Sequence, residues 1–327
     1  MAQGDVEQAA ELAAVFDDLN SQISRVIIGQ QEVLFEILIG LVAGGHCLLT
    51  GVPGLAKTLM VSTISKALDL EFSRIQFTPD LMPSDITGTE IIDDEPGDGR
   101  SFRFVRGPVF AQVILADEIN RTPPKTQAAL LQAMQEGQVT AGGKTHDLPR
   151  PFYVLATQNP IEQEGTYPLP EAQLDRFMLN VLVGYPDADE ENEIVATTTS
   201  APPEDPEPVA GAEQITKYQE LVRRVPVPES VLNTTVELCR STRPGDSAPE
   251  YINRWVSWGV GPRAAQHLVL AAKGGALLQK RNAVTIDDIE RLAIPVLRHR
   301  LVLNFSAEAE GITPDDVLKE VTETALA

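Results

Sequence analysis

The segment GVPGLAKT, residues 51–58, combines residue types and a spacing suited to holding phosphate groups. It follows the pattern G-x-x-x-x-G-K-[ST], except that Ala56 stands at the second glycine. Backbone N–H groups of such a loop cradle phosphates, helped by the positive end of the helix that we expect to begin at Lys57. In this pattern Lys57 reaches the β- and γ-phosphates, and the Thr58 hydroxyl binds Mg²⁺. For the segment alone, an ordinary strand-to-helix turn is the alternative.

A second candidate lies at the end of the apolar run VILADE, where Asp117 and Glu118 follow a strand predicted over residues 112–116. Open parallel sheets bind ligands at the carboxyl ends of their strands. There Asp117 would hold Mg²⁺ through water, and Glu118 would orient or deprotonate a water that attacks a γ-phosphate. A solvated strand end is the alternative. About sixty residues separate Lys57 from Asp117, enough for a helix, a strand and a crossover.

A third apolar strand ends in ATQNP, residues 156–160. It places the side-chain amide of Asn159 where it would contact the γ-phosphate or the attacking water. An Asn-Pro turn alone is weak evidence. On one sheet edge with the two previous segments, however, it predicts a site that hydrolyses a nucleoside triphosphate.

The elements that must position these residues alternate between strands and helices along the first part of the chain. Such alternation indicates a parallel sheet with crossover helices. We therefore predict an α/β nucleotide-binding domain over residues 1–198, followed by a linker or exposed loop over 199–212, where Pro, Glu and Ala dominate. Residues 213–327 show helical periodicity and few strand signals, which predicts a smaller all-α domain.

Two stretches interrupt this alternation. Residues 78–110 form a passage rich in turn residues, and its length implies an insertion. Residues 138–149 contain two short strands around an Ala-Gly-Gly turn, which predicts a β-hairpin. Each stretch has two interpretations, a surface decoration or a part that touches a substrate.

Acidic residues dominate the charge, since 47 Asp and Glu stand against 26 Lys and Arg, for a net charge of -21. Phosphate backbones repel such a chain, and without a basic patch no nucleic-acid partner is expected. The longest apolar window, residues 33–49, is too interrupted to insert into a membrane. The chain shows no signal peptide and its two cysteines form no CxxC pair, so we expect a cytoplasmic protein.

Together, the three chemistry-bearing segments resemble those of the AAA+ superfamily and, within it, the MoxR family of ATPases. The resemblance rests on GVPGLAKT as Walker A, LADEIN as Walker B, ATQNP as the sensor-one strand, EAQLDRF before the lid and GVGPRAA inside it. It covers most of the chain, and the order and spacing of these motifs are highly specific. MoxR-like proteins typically carry alanine where Ala56 stands, so this departure fits the subgroup.

The resemblance implies ATP and Mg²⁺ as cofactors and gives roles to single residues beside Glu118. Asn159 corresponds to sensor one, Arg263 to sensor two, and Arg176 to the arginine finger that reaches the nucleotide of a neighbouring subunit. For Arg176, an ion pair with the adjacent Asp175 is the alternative. Arg263 follows a proline at a helix start, from which its side chain could face the cleft.

Other residues enter through the same resemblance. Arg121 is a rival for the trans-acting role, and Arg106 is a weaker candidate. Residues 27–30 are expected to lie against the adenine, and the two interrupting stretches correspond to the helix-two insert and the pre-sensor-one hairpin. Thr58 and Asp117 would bind Mg²⁺ largely through water. The predicted nucleotide-binding set is Ile28, Gly29, Gly51, Pro53, Gly54, Leu55, Ala56, Lys57, Thr58, Leu59 and Asp117.

The resulting hypothesis is an ATPase that forms a homo-oligomeric ring, a hexamer by resemblance, and remodels, assembles or activates a partner protein. MoxR relatives commonly act as chaperone-like partners of von Willebrand factor A domain proteins. A nucleotide switch without obligatory turnover is the alternative, against which the presence of Glu118 and Asn159 argues. A helicase-like DNA motor is a third hypothesis, disfavoured by the net charge and by the single lysine of the hairpin, Lys144.

Overall fold

The structure, a computed structural model, describes residues 3–95, 99–161, 164–200, 204–246 and 248–326. Residues 201–203 of the predicted linker and residues 96–98 of the first predicted insertion lie outside these ranges. The first part of the chain contains α1 (Gln3–Ile23), α2 (Gln31–Val42), β1 (Cys47–Thr50), α3 (Lys57–Ala67), β2 (Phe72–Gln76), α4 (Pro83–Thr87), β3 (Gly88–Glu95), β4 (Gly99–Arg106), β5 (Val113–Asp117), α5 (Pro124–Glu136), β6 (Gln138–Ala141), β7 (Lys144–Asp147), β8 (Tyr153–Gln158), α6 (Glu171–Leu174), β9 (Leu179–Leu182) and α7 (Ala188–Thr198).

Five of these strands form one parallel sheet in the order β2-β5-β8-β1-β9. Their registers bring the strand ends into line, since Thr50 lies opposite Gln158, and Gln76 lies opposite Asp117. Because every strand runs in the same direction, the turns that follow β1, β5 and β8 meet at one edge. The sheet therefore gathers the three segments that the sequence singled out.

The sheet is buried on both faces. Val113 and Leu115 of β5 belong to an apolar cluster that includes α1, α2 and α3, whereas Ile114 and Ala116 belong to a second cluster with α5. Successive side chains of a strand point to opposite faces, so an uninterrupted apolar run covers both. The run VILA thereby fixes β5 at the centre of the molecule and places Asp117 at its end.

The first predicted insertion contains α4 and an antiparallel hairpin of β3 and β4, in which Ile92 lies opposite Phe102. The sequence indicated turns here rather than strands, because Gly, Asp and Pro punctuate the segment. The second insertion forms the predicted hairpin from β6 and β7. The rings of Phe104 and His146 stack with centroids 4.4 Å apart, which joins the two hairpins.

The second part of the chain is mainly helical, and the predicted α/β fold with a smaller helical domain is confirmed. Two short strands pair within it, which helical periodicity did not indicate. Its elements are α8 (Ala212–Arg224), α9 (Glu229–Ser241), α10 (Glu250–Trp255), β10 (Val256–Trp258), α11 (Pro262–Leu278), α12 (Ile286–Leu297), β11 (Val302–Leu303), α13 (Phe305–Glu310) and α14 (Pro314–Leu326).

Helix α1 contacts both parts of the molecule, since it packs against α3 of the α/β part and against α8 and α11 of the helical part. Ion pairs flank this packing: Arg224 Nε lies 3.0 Å from Asp5 Oδ1, and Lys280 Nζ lies 2.8 Å from Asp17 Oδ2. One apolar cluster consequently runs from the sheet through α1 into the helical part. Throughout the described ranges, no helix has both the length and the apolar character needed to cross a bilayer.

Candidate functional site

A cavity of about 470 Å³ opens at the carboxyl edge of the sheet, and we call it the phosphate cavity. Most of the predicted site residues line it. Its wall consists of residues 53–59 from the turn and the start of α3, with Arg74, Gln76, Asp117, Glu118, Thr157 and Asn159. The structure thus brings the three chemistry-bearing segments together, as the parallel sheet requires.

The turn before α3 has the backbone of an anion cradle. Gly54 has φ +87° and open space where a side chain would stand, and Ala56 has φ 53°. A left-handed backbone costs an alanine about 1 kcal/mol, so the second position of the general pattern is one where glycine fits without strain. Ala56 precedes the helix with no side chain that could cap it, so the first amides of α3 remain available to an anion.

Lys57 begins α3, and its Nζ donates a hydrogen bond to the carbonyl oxygen of Gly51 at 2.5 Å. Burial lowers the pKa of Lys57, and the negative charges of Asp117 and Glu118 oppose that shift. Gly51 itself does not line the cavity. A β-carbon there would come within 2.5 Å of the Val183 carbonyl oxygen, so this glycine allows β1 and the residues after β9 to approach closely.

Thr157, near the end of β8, links the carboxylate of Asp117 to the backbone of Glu118, a role that the sequence did not indicate. Its hydroxyl donates to Asp117 Oδ1 at 2.7 Å and accepts the N–H of Glu118 at 2.8 Å. Glu118 adopts a left-handed backbone with φ 56°, which ends β5 immediately after Asp117. One hydroxyl therefore fixes both the orientation of Asp117 and the turn that carries Glu118.

Two residues of β2 also contact the carboxylates and were missed by the sequence analysis. Arg74 donates from both Nε and a terminal nitrogen to Asp117 Oδ2, at 3.1 and 2.6 Å. Gln76 Nε2 donates to Glu118 Oε2 at 2.8 Å, and Arg121 donates to the same oxygen at 2.9 Å. Their spacing places both side chains on one face of β2, because residues two apart on a strand point the same way, but it does not indicate which residues they contact.

Asn159 is buried, with only 8% of its surface exposed, and its side-chain oxygen accepts the N–H of Ile161 at 3.1 Å. The NH₂ end of the amide is thus left as a donor for a phosphate oxygen or a water.

The wall of the phosphate cavity also fits Mg²⁺, which prefers oxygen ligands and keeps several waters, since the Thr58 hydroxyl and the Asp117 carboxylate both lie on it. Among the described residues, no group of three or more His, Cys, Asp or Glu forms a metal site.

Ile28 and Gly29 do not line the phosphate cavity; they precede α2. Gly29 has φ +68°, and a β-carbon there would meet the carboxylate of Glu190 in α7. The next residue, Gln30, donates its amide to the carbonyl oxygen of Gly184 at 3.1 Å. The segment is thereby fixed against the residues that follow β9, and its contact with an adenine stays a prediction.

Arg176 and Arg263 lie in another place, which we call the arginine cavity. This space of about 240 Å³ is lined by Arg176, Arg223 and Arg263, and also by Gly45 and His46 at the amino end of β1. It therefore opens at the opposite edge of the sheet from the phosphate cavity. The expectation that Arg263 faces the cleft of its own chain is not met in this structure.

Asp175 explains that placement. Its Oδ2 is 3.2 Å from a terminal nitrogen of Arg263, and its Oδ1 accepts from Arg300 Nε at 2.8 Å. Arg176 instead donates to the carbonyl oxygen of Leu131 at 2.7 Å, so the alternative of an Arg176–Asp175 pair is not what the structure shows.

The other two arginine candidates, Arg121 and Arg106, do not line the arginine cavity. Arg121 ends the short turn Ile119–Arg121 and contacts Glu118 of its own chain. Arg106, at the end of β4, lies with its guanidinium 5.2 Å from the centre of the Phe110 ring.

Comparison with known families finds one match in each part of the chain. Residues 46–179 match the ATPase family associated with various cellular activities (AAA), and residues 251–321 match the AAA lid domain. The first range contains the residues of the phosphate cavity. Membership of the AAA ATPases implies that the chain binds a nucleotide.

Individual relatives match over nearly the whole chain. Chaperone MoxR1 of Mycobacterium tuberculosis is 43% identical over 93% of this chain and 80% of its own length. Protein MoxR of Paracoccus denitrificans is 31% identical over 92% of this chain and 93% of its own. The crystal structure of a candidate ATPase from Cytophaga hutchinsonii superposes with a TM-score of 0.90 at 41% identity, covering 97% of this chain and 96% of that one. With its phosphate cavity and helical lid, this chain belongs to the MoxR family of AAA+ ATPases.

Proposed function

We propose that the protein binds ATP with Mg²⁺ in the phosphate cavity and hydrolyses it within a homo-oligomeric ring, and that turnover remodels, assembles or activates a partner protein. The observation that carries this proposal is the convergence of Lys57, Asp117, Glu118 and Asn159 on one cavity. These residues supply a cation for phosphates, two carboxylates and an amide donor. That set is the one a phosphoryl transfer to water requires.

Each side chain has a distinct task. Lys57 neutralises charge on the β- and γ-phosphates, and the uncapped amides of α3 hold the remaining oxygens. Glu118 orients the attacking water and accepts its proton, while Asn159 donates to a γ-phosphate oxygen or to that water. Mg²⁺, held through Thr58 and Asp117, supplies charge neutralisation on the phosphates.

The placement of the arginines supports an assembly. Arg176 and Arg263 line a cavity at the amino edge of the sheet, away from the phosphate cavity of their own chain. As arginine finger and sensor two, they would act on the nucleotide of an adjacent subunit. A closed ring, six-membered by the resemblance, gives every subunit one neighbour on each side.

A nucleotide-dependent switch is the second candidate function, and one contact favours it. Glu118 Oε2 accepts from both Gln76 and Arg121, so part of its capacity to accept a proton is already used. A switch would bind its partner with a non-hydrolysable analogue as with ATP and release it without turnover when the nucleotide is removed. An ATPase-driven remodeller would keep its partner bound until turnover occurs, which separates the two functions.

The substitution Glu118→Gln tests the proposed hydrolysis. It removes the proton acceptor and preserves the shape and the Gln76 contact region, so ATP affinity should stay within about twofold while turnover falls about a hundredfold or more. Glu237→Gln changes an exposed glutamate of α9 by the same atoms and serves as the matched control. Normal turnover by Glu118→Gln would remove Glu118 from the mechanism.

The same variant offers a way to capture the partner. If hydrolysis drives release, tagged Glu118→Gln protein supplied with ATP should retain its client through a pull-down, whereas the wild type should lose it. The relative MoxR1 of Mycobacterium tuberculosis is named a chaperone, which supports a protein as the partner. By the family resemblance, von Willebrand factor A domain proteins are the first candidates to test as clients.

A further inference from the structure

Three arginines converge on the arginine cavity from three separate elements. Arg176 follows α6, Arg223 lies in the last turn of α8, and Arg263 is the second residue of α11. The chain has a net charge of -21, so a cluster of guanidinium groups stands out from its surroundings. The sequence assigned roles to Arg176 and Arg263 but none to Arg223.

The positive charge in this cavity is only partly compensated. Arg263 has Asp175 as its partner at 3.2 Å. For Arg176 and Arg223, no carboxylate of the described residues lies within ion-pair distance, although Glu136 and Glu220 border an adjoining groove that Arg223 also lines. The cavity therefore carries a net positive charge with room for an anion.

Lys273 lies beside Arg223. Its Nζ donates to the backbone carbonyl oxygen of Arg223 at 3.0 Å, although Lys273 itself does not line the cavity. Burial lowers the pKa of Lys273, and the charge of Arg223 lowers it further. Cations placed this close repel one another, and a bound polyanion would relieve that repulsion.

The cavity is also held in shape before any ligand arrives. Arg300, whose side chain is only 3% exposed, donates to Asp175 Oδ1 at 2.8 Å and to the carbonyl oxygens of Phe177 and Met178. The backbone on both sides of Arg176 is thereby fixed. Guanidinium groups form forked hydrogen bonds to phosphate oxygens, so a cavity lined by three arginines matches a polyphosphate.

We propose that Arg223 completes, with Arg176 and Arg263, a phosphate-binding site that receives the nucleotide polyphosphate held in the phosphate cavity of a second copy of this chain. This inference rests on the proposed function. The polyphosphate of the same chain does not reach the site, because the two cavities lie at opposite ends of β1, whose four residues span about 13 Å. Arg223 thus couples the lid of one subunit to the nucleotide of the next.

The substitution Arg223→Gln in the full chain tests this role, with Arg240→Gln as the matched control, since Arg240 lies in the last turn of another lid helix, α9. We expect Arg223→Gln to lower turnover of the assembled protein about tenfold to a hundredfold, whereas ATP binding by the dissociated subunit depends only on its own phosphate cavity, which Arg223 does not line. This loss is smaller than that of a fully buried arginine finger because Arg223 is exposed. Arg223→Lys should recover only part of the loss, since an ammonium lacks the fork.

A mixing experiment then decides between neighbouring and same-chain action. Lys57→Met subunits lack the lysine of their own phosphate cavity but keep Arg223. Arg223→Gln subunits keep Lys57 and lack Arg223. Mixed in equal amounts, with co-assembly measured by a tag on one variant, they should reach a turnover higher than that of either variant alone. Co-assembly without recovery would overturn the proposal, as would wild-type turnover by Arg223→Gln.

The outcome also separates this inference from the function on which it rests. A wild-type protein that hydrolyses no ATP, or that stays monomeric with nucleotide, contradicts the proposed function itself. A wild type that hydrolyses ATP in an assembly, together with an Arg223→Gln variant indistinguishable from Arg240→Gln, contradicts only the role of Arg223. Thermal unfolding of each variant shows that the comparison is made between folded proteins.

Discussion

Gln76 donates its side-chain amide to the carboxylate of Glu118, with 2.8 Å between Nε2 and Oε2. Gln76 ends β2, and Glu118 directly follows the neighbouring strand β5, whose last residue, Asp117, lies opposite Gln76. The contact fixes the orientation of the carboxylate proposed to activate water. Gln76 is therefore a positioning residue, which acts on the reaction through Glu118.

Gln76→Ala should lower kcat for ATP about fivefold with little change in KM. The reason is that Glu118 loses one of two oriented donors while Arg121 remains, and a loss of about 1 kcal/mol in the transition state corresponds to that factor. Steady-state ATPase kinetics measure it. Gln132→Ala removes another Gln–Glu hydrogen bond, to Glu136 on the surface of α5, and should change neither parameter. A change confined to KM would contradict the positioning role.

Arg300→Leu should lower the free energy of unfolding by about 3 kcal/mol, because it breaks a buried ion pair and leaves carbonyl oxygens unsatisfied. Arg300→Lys should recover little, since one ammonium does not reach Asp175 and the carbonyl oxygens of Phe177 and Met178 together. Urea denaturation gives the values. Lys66→Met breaks an exposed pair with Asp205, and a loss below about 1 kcal/mol is expected there. Equal losses in the free energy of unfolding for Arg300→Leu and Lys66→Met would show that the contacts of Arg300 do not stabilise the fold as proposed.

The ring of His46 is held in its neutral form. It makes a hydrogen bond to the Met134 carbonyl oxygen through Nε2 at 3.2 Å, and its Nδ1 accepts the N–H of Val154 at 3.1 Å. Burial lowers the pKa of His46 from 6.5 to about 4. Between those two values the unfolded chain binds more protons than the folded one, so the stability due to this group is lost as pH falls.

Comparison of the wild type with His46→Asn at pH 7.5 and pH 5 should show this loss. The asparagine keeps one donor and one acceptor but does not titrate, so its free energy of unfolding should fall less on acidification, by at most about 2 kcal/mol. Glu36, whose pKa burial raises to about 7, shifts stability in the opposite direction. It is common to both proteins and cancels in the difference. Identical pH dependence would show that His46 is not the group responsible.

Gly40 of α2 allows a close approach to the sheet. A β-carbon there would lie 2.5 Å from Cys47 Sγ and 2.8 Å from the Tyr153 hydroxyl oxygen, which donates to the Ile37 carbonyl oxygen. Gly40→Ala should therefore lower the free energy of unfolding by about 1–3 kcal/mol. Gly275→Ala, in α11, meets Ile39 at an ordinary 3.4 Å and should gain about 0.5 kcal/mol from helix propensity. Chemical denaturation of both variants tests the opposite signs.

The position of the candidate site followed from sequence to a large extent. Apolar runs ending in Thr50, Asp117 and Gln158 define strands, and the parallel arrangement alone requires their ends to meet. Arg74 and Gln76 were missed because their contacts depend on β2 being the neighbour of β5, which is a property of strand order. No local pattern encodes that order.

The arginines show the same limit more strongly. The sequence motifs around Arg176 and Arg263 indicated their roles, but not the sheet edge on which their side chains lie. That edge depends on Asp175 accepting from both Arg263 and Arg300, three residues far apart in sequence. Strands β3 and β4 were missed for a different reason. Their segment is rich in turn-forming residues, which hid its strand pattern, and the two strands are stabilised by pairing with each other.

During synthesis, helix α1 emerges long before the helices of the second part of the chain that cover its apolar face. Its partners α8 and α11 are translated roughly two hundred residues later, which at ordinary elongation rates is a delay of about 10 to 40 seconds. During this interval the apolar face that includes Leu12, Phe16 and Leu19 has no lid to cover it. A solubilising fusion ahead of α1 should therefore raise the yield of folded protein more than the same fusion after α14. Co-expression of a ribosome-associated holdase should raise the yield as well.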